Sequence, residues 1–243
     1  MLLMVLLTAA PGAAQLRSVS ILGDSYSTFE GFLQPDTNAV WYWRWRPDVK
    51  RTDVNDVRQT WWWQLVERNG LKLERNNSFS GATISYRGYR KEDYTNRSFV
   101  NRALALGSPD IILVFGATND CWARVPLGEY MWNADSIFRL HLAVAADSTK
   151  ALTESPLWTF RPALVCLIDE LRLHYPTAEL WLLVNNILTD EYKESIHAVC
   201  DRLGVQTIDL QDIEMKAGHP TQQGQRDICR QVEAVLFSRC ERE

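Results

Sequence analysis

The chain has 243 residues, enough for one well-filled α/β domain but thin for two. Hydrophobic residues at 46% and charged residues at 23% match a folded water-facing domain rather than a disordered or membrane-embedded chain. A net charge of -4 offers no basic surface, which excludes nucleic acid and anionic membranes as expected partners.

Residues 1–14, within "MLLMVLLTAAPGAAQ", resemble a signal-peptide core and cleavage site, with Gln15 as the mature start. The apolar run from Leu2 to Leu7 is too short to span a bilayer, so stable membrane insertion is not expected. A secreted or periplasmic protein is the preferred reading, although positive residues before the run are missing and a buried first element is the alternative. Residues 15–243 read as a single domain, without repeats or a Pro/Gly/Ser-rich linker. Cys121, Cys166, Cys200, Cys229 and Cys240 form no C-x-x-C pair and suggest no zinc site, and no metal or cofactor is expected.

Five short apolar runs read as strands: "SVSILG" (18–23), "LKLERN" (71–76), "DIILVFG" (110–116), "AELWLLVNN" (178–186) and "GVQTIDL" (204–210). The third is apolar at successive positions, as a central parallel strand covered on both faces should be. Helices are expected over 60–70, 160–174, 190–203 and 221–237, from one-sided apolar stripes and their caps and stops. Residues 120–158 fit the alternation least and read as an insertion between strands three and four. The result is a three-layer α/β/α sandwich around a mostly parallel five-stranded sheet. In such sheets ligands bind beyond the carboxyl ends of the strands.

Four chemically useful residues fall at those ends. Ser25 follows strand one in "GDSYS", and Gly81 follows strand two in "FSGAT". Asn119 follows strand three in "GATND", and His219 follows strand five in "GHP". A hydroxyl, an imidazole and oxyanion donors are the parts of an acyl-transfer site. The other three histidines are less well placed: His141 lies in the insertion with no partner motif, His174 ends a helix where a cation suits the dipole, and His197 lies mid-helix beside the apolar face.

Those four blocks, in that order over residues 18–237, resemble the SGNH (GDSL-type) hydrolase family, whose fold is flavodoxin-like. The resemblance implies a serine esterase. Ser25 would be the nucleophile and His219 the general base, with an oxyanion hole from the Ser25 and Gly81 N–H groups and the Asn119 amide. Gly81 would let the backbone approach substrate closely. One position departs from the pattern: the acid usual three residues before the histidine is Lys216, which cannot accept a hydrogen bond. Glu214 is the favoured replacement, with Asp212 and Asp209 the other nearby acids. A backbone carbonyl orienting the ring, or a degenerate site, is the alternative.

The substrate is expected to be a small-molecule or polysaccharide acyl ester, first an O-acetyl group on a carbohydrate. In "WYWRWR" (41–46), an extended segment would put Trp41, Trp43 and Trp45 on one face, either as a sugar-stacking platform or as pins to the core. Asp24, Tyr26, Trp43, Arg44 and Asp120 are the candidate substrate contacts, with Arg44 suited to a sugar carboxylate and Asp24 also readable as a carboxylate holding its turn. A glycan-binding protein on the same fold, or an O-acyltransferase, are the competing functions.

Overall fold

Each of the five apolar runs forms a strand, because side chains on successive positions find a different core on each side of the sheet. The structure is a computed structural model that describes residues 16–45 and 48–237. The signal-peptide reading, Arg46 and Cys240 therefore lie outside the described residues. The strands are β1 (Ser18–Gly23), β2 (Lys72–Asn76), β3 (Ile111–Phe115), β4 (Glu179–Val184) and β5 (Gln206–Asp209). All pair in parallel, in the order β2-β1-β3-β4-β5.

Period two explains the unbroken hydrophobicity of β3 and β4. Ile112, Val114, Leu182 and Val184 face one core, while Ile111, Leu113, Trp181 and Leu183 face the other. The first core is closed by α2 (Phe99–Arg102), α4 (Ala134–Ala146), α5 (Phe160–His174) and α6 (Asp190–Leu203). The second is closed by α1 (Trp61–Arg68) and α7 (Gln222–Phe237), which pack on each other. Full burial of side chains such as Leu113 is worth roughly 1.5–3 kcal/mol each, and Leu113→Ala would cost about 2–5 kcal/mol.

The stretch that suits the alternation least contributes α3 (Thr118–Trp122) directly after β3, followed by α4. Helix α4 lies against α5 and buries Ala134, Ile137 and Val144. Cys166, Cys200 and Cys229 are buried free thiols within the two cores, and Cys121 is a partly buried one. Among the described residues no helix is long and apolar enough to cross a membrane.

The strand order reverses direction at β1: the chain moves outward to β2, then returns past β1 to β3. That reversal opens a crevice between the carboxyl ends of β1 and β3. Ser25 leaves β1 there, and Asn119 lies on α3 just beyond β3.

Candidate active site

The turn carrying Ser25 is built by the residue before it. Asp24 donates its backbone N–H to the Phe115 carbonyl at 3.1 Å, so the β1–β3 ladder runs to its last possible residue. Its carboxylate then accepts the Tyr26 N–H at 3.0 Å and caps the single 3-10 turn Ser25–Ser27. Thr28 closes that turn by donating its hydroxyl to the Ser25 carbonyl at 2.9 Å. The nucleophile candidate therefore sits on backbone fixed from both sides.

His219 arrives on a separate hairpin. Strands β6 (Met215–Lys216) and β7 (His219–Pro220) pair antiparallel through a two-residue turn. Both turn residues, Ala217 (φ 49°) and Gly218 (φ 74°), are left-handed, the conformation such tight hairpins need. The turn directs the Ala217 carbonyl toward its own neighbour's ring: His219 Nδ1 lies 3.2 Å from that oxygen. Nε2 lies 2.9 Å from Ser25 Oγ. A carbonyl only accepts, so Nδ1 carries the proton and Nε2 is free to accept one from the serine. Burial pushes the imidazole down to about 4, with the Ala217 carbonyl pulling against that shift and the Arg51 charge adding to it. The base is neutral at neutral pH.

No carboxylate performs this orientation, which corrects the assignment of Glu214. Its Oε1 accepts the Thr221 hydroxyl at 2.5 Å instead. Asp209 pairs with His197 at 2.9 Å, and Asp212 makes no bond to the imidazole. Lys216 extends away, donating from Nζ to the Val49 carbonyl at 3.0 Å.

Asn119 is clamped. Tyr89 donates its hydroxyl to Oδ1 at 2.8 Å, which turns Nδ2 toward the Ala82 carbonyl (3.0 Å) and the Asp24 carboxylate (3.5 Å). Among the described residues, no protein acceptor takes the backbone N–H of Ser25 or of Gly81. At Gly81 the backbone itself gives a reason for glycine. A Cβ would meet no protein atom within 4 Å, but φ is +82°, a conformation that favours glycine.

Three proposed substrate contacts are corrected by burial. Asp24 and Asp120 are wholly buried and Tyr26 has no exposed surface, so none can reach a ligand. Asp120 accepts the N–H groups of Ile84 (2.7 Å) and Ser85 (3.1 Å) and the Ser85 hydroxyl (2.9 Å), holding the loop that follows Gly81. Burial pushes both carboxyls up to about 7 against these hydrogen bonds. Tyr26 donates its hydroxyl to the Gly218 carbonyl at 2.7 Å and packs its ring edge near His219, bracing the hairpin. Trp43 and Arg44 are exposed, Trp45 is 74% exposed, and the Arg44 guanidinium lies over the Trp45 ring at 4.8 Å.

Trp41 follows the pinning alternative rather than the shared platform. It does not share a face with Trp43 and Trp45; its ring stacks on His219, centroids 3.5 Å apart and planes at 7°. Residues 41–45 form bends rather than a strand, so alternation had no ladder to hold it. Tyr89 and Trp122, whose ring centroid lies 6.1 Å from that of His219 in an edge-on arrangement, also escaped notice because neither stands in a recognisable motif.

A serine, a neutral histidine and two unpaired backbone donors at the crevice of a parallel sheet define the architecture of a serine acylhydrolase. The chain belongs to the GDSL-like lipase/acylhydrolase family, whose model matches residues 17–236. Among solved structures it resembles one classed as a GDSL-like lipase from Bacteroides ovatus, with 45% identity, a TM-score of 0.82, and 92% of this chain and 99% of that one covered. A second such protein, from Bacteroides uniformis, is 40% identical at TM-score 0.81, covering 93% and 97%. A family two carbohydrate esterase from Clostridium thermocellum, solved with cellohexaose, shares the fold at 15% identity and TM-score 0.57, covering 96% and 67%. No curated protein matches the chain.

Proposed function

We propose that the protein is a serine esterase that removes short acyl groups, above all O-acetyl, from a carbohydrate. The observation that carries this reading is the 2.9 Å contact between His219 Nε2 and Ser25 Oγ with Nδ1 held by the Ala217 carbonyl. Ser25 Oγ attacks the ester carbonyl as its proton passes to Nε2. The Ser25 and Gly81 N–H groups receive the oxyanion, joined by the Asn119 N–H whose contact to Asp24 is long, at 3.5 Å. Collapse breaks the bond to the alkoxide, which takes the proton from Nε2 and leaves. Water then attacks the acyl-enzyme, gives its proton to Nε2, and the freed serine recovers it as the carboxylic acid departs.

The small acyl group is argued from burial: Ser25 and His219 are only 3% and 6% exposed, leaving little room for a long chain. The carbohydrate is argued from the exposed rings of Trp122 beside His219 and of Trp43, since aromatic faces stack on sugar rings. The likeness to a carbohydrate esterase points the same way. Fluorophosphonate should label Ser25, and p-nitrophenyl acetate hydrolysis should vanish in Ser25→Ala. Acetate release from a panel of acetylated polysaccharides then identifies the alcohol. A folded wild type that is neither labelled nor active on any acyl ester refutes the proposal, whereas transfer to an added sugar in preference to water makes it an acyltransferase.

A further inference from the structure

The His219 ring has a second neighbour that the reaction scheme leaves idle. Trp41 lies flat against it at 3.5 Å, and the Arg51 guanidinium lies 4.1 Å from the same indole. One face cannot hold both at those distances, so imidazole and guanidinium occupy opposite faces. The indole is referenced to the nucleophile: its backbone N–H donates to Thr28 Oγ1 at 2.9 Å, and that hydroxyl donates to the Ser25 carbonyl. Arg51 in turn stands on a tight turn, with its N–H and that of Thr52 donating to the Asp48 carbonyl at 2.8 and 2.9 Å. Lys216 ties this turn, through the Val49 carbonyl, to the hairpin on which it pairs directly with His219.

We infer that Trp41 is a positioning residue replacing the acid behind the base: it holds the imidazole plane and stabilises the imidazolium formed when Ser25 loses its proton, while Lys216 fastens the segment that completes the stack. The inference rests on the esterase reading. Its physical basis is the attraction between a cation and the electron-rich face of an indole. The Ala217 carbonyl favours the charged ring through Nδ1, but among the described residues no side chain supplies a compensating negative charge. Ser25 Oγ takes Nε2, the Tyr26 hydroxyl is committed to Gly218, and Trp122 presents only an edge. Asp24 is engaged with Tyr26 and Asn119, and Glu214 with Thr221. Arg51 is the one nearby cation acting on the ring among the described residues, and it opposes protonation from behind the indole. The pair thus works in two senses: Arg51 adds to the burial that keeps the resting base neutral, and Trp41 lowers the barrier once the proton moves.

The test uses the full chain and p-nitrophenyl acetate. Trp41→Leu should lower kcat by about 3- to 30-fold with KM within about twofold, and Trp41→Phe should restore most of it. Arg51 is exposed, so Arg51→Gln carries the test even if Trp41→Leu fails to fold. It should raise the pH of the acid limb and the NMR titration midpoint of His219, while Arg51→Lys leaves both in place. Unchanged kcat in a folded Trp41→Leu, a rise in KM alone, or an unmoved His219 titration in Arg51→Gln overturns the inference. A wild type without esterase activity refutes the proposed function instead, and the imidazole titration still reads the stack.

Discussion

Asp120→Ala separates a structural carboxylate from a substrate contact. The change strands the Ile84 and Ser85 N–H groups, which now donate at 2.7 and 3.1 Å, whereas the Ser85 hydroxyl keeps the Arg87 carbonyl at 3.1 Å as an alternative acceptor. Two buried unsatisfied donors cost about 1–3 kcal/mol each, so roughly 2–6 kcal/mol in all. Removing a carboxyl that burial pushes up to about 7 returns part of this, which favours the lower half, about 2–4 kcal/mol. Against a typical total of about 5–15 kcal/mol that is a large loss. For a domain of this size it lowers Tm by roughly 5–15 °C. Urea denaturation followed by tryptophan fluorescence measures the first quantity and thermal melting the second. Because the loop also carries Gly81, kcat should fall with stability. A variant as stable as the wild type but with a raised KM would refute this reasoning and return Asp120 to the substrate.

Three further outcomes follow from the same geometry. Because the imidazole is pushed down to about 4, kcat/KM should hold to well below pH 6 and reach half its plateau near the shifted value; an acid limb at the ordinary histidine value of 6.5 would contradict the burial argument. Asp24, pushed up to about 7 from 3.8, binds a proton in the native state that the unfolded chain has released, so its contribution is full below about pH 4 and lost as pH rises to about 7. Urea titrations of wild type and Asp24→Asn at the two ends of that window should show the wild type losing more stability on going to high pH, and parallel behaviour would count against it. Gly81→Ala should destabilise by about 1–2 kcal/mol through backbone conformation alone and reduce kcat, since φ is +82° with open space around the new methyl; a neutral variant would show the loop to be free to adjust.

The strands were legible because burial on both faces writes itself as an unbroken run. "DIILVFG" contains β3, and even "LKLERN" at the sheet edge contains β2 with one residue to spare. The four candidate residues were legible as short motif blocks, and the fold brings two of them, Ser25 and His219, within 2.9 Å of each other. What orients His219 was not, since the acceptor is a main-chain oxygen whose direction depends on two left-handed dihedrals at 217 and 218. Nor could composition distinguish Asp24 and Asp120 from ligand contacts: a carboxylate reads the same whether it faces solvent or backbone N–H groups. Trp41 is set apart from Trp43 and Trp45 by its stack on His219 and by a backbone bond to Thr28, which no local pattern encodes.

The hairpin from 215 to 220 has a wider consequence. An orienting group made of peptide backbone depends on the turn's dihedrals rather than on a side-chain acid, so the tautomer is held with a lysine at position 216. Position 216 is thereby free to act as a brace, through the Lys216 bond to the Val49 carbonyl. Any screen for active members that insists on aspartate there would discard chains wired in this way, while one that asks for the turn geometry would keep them.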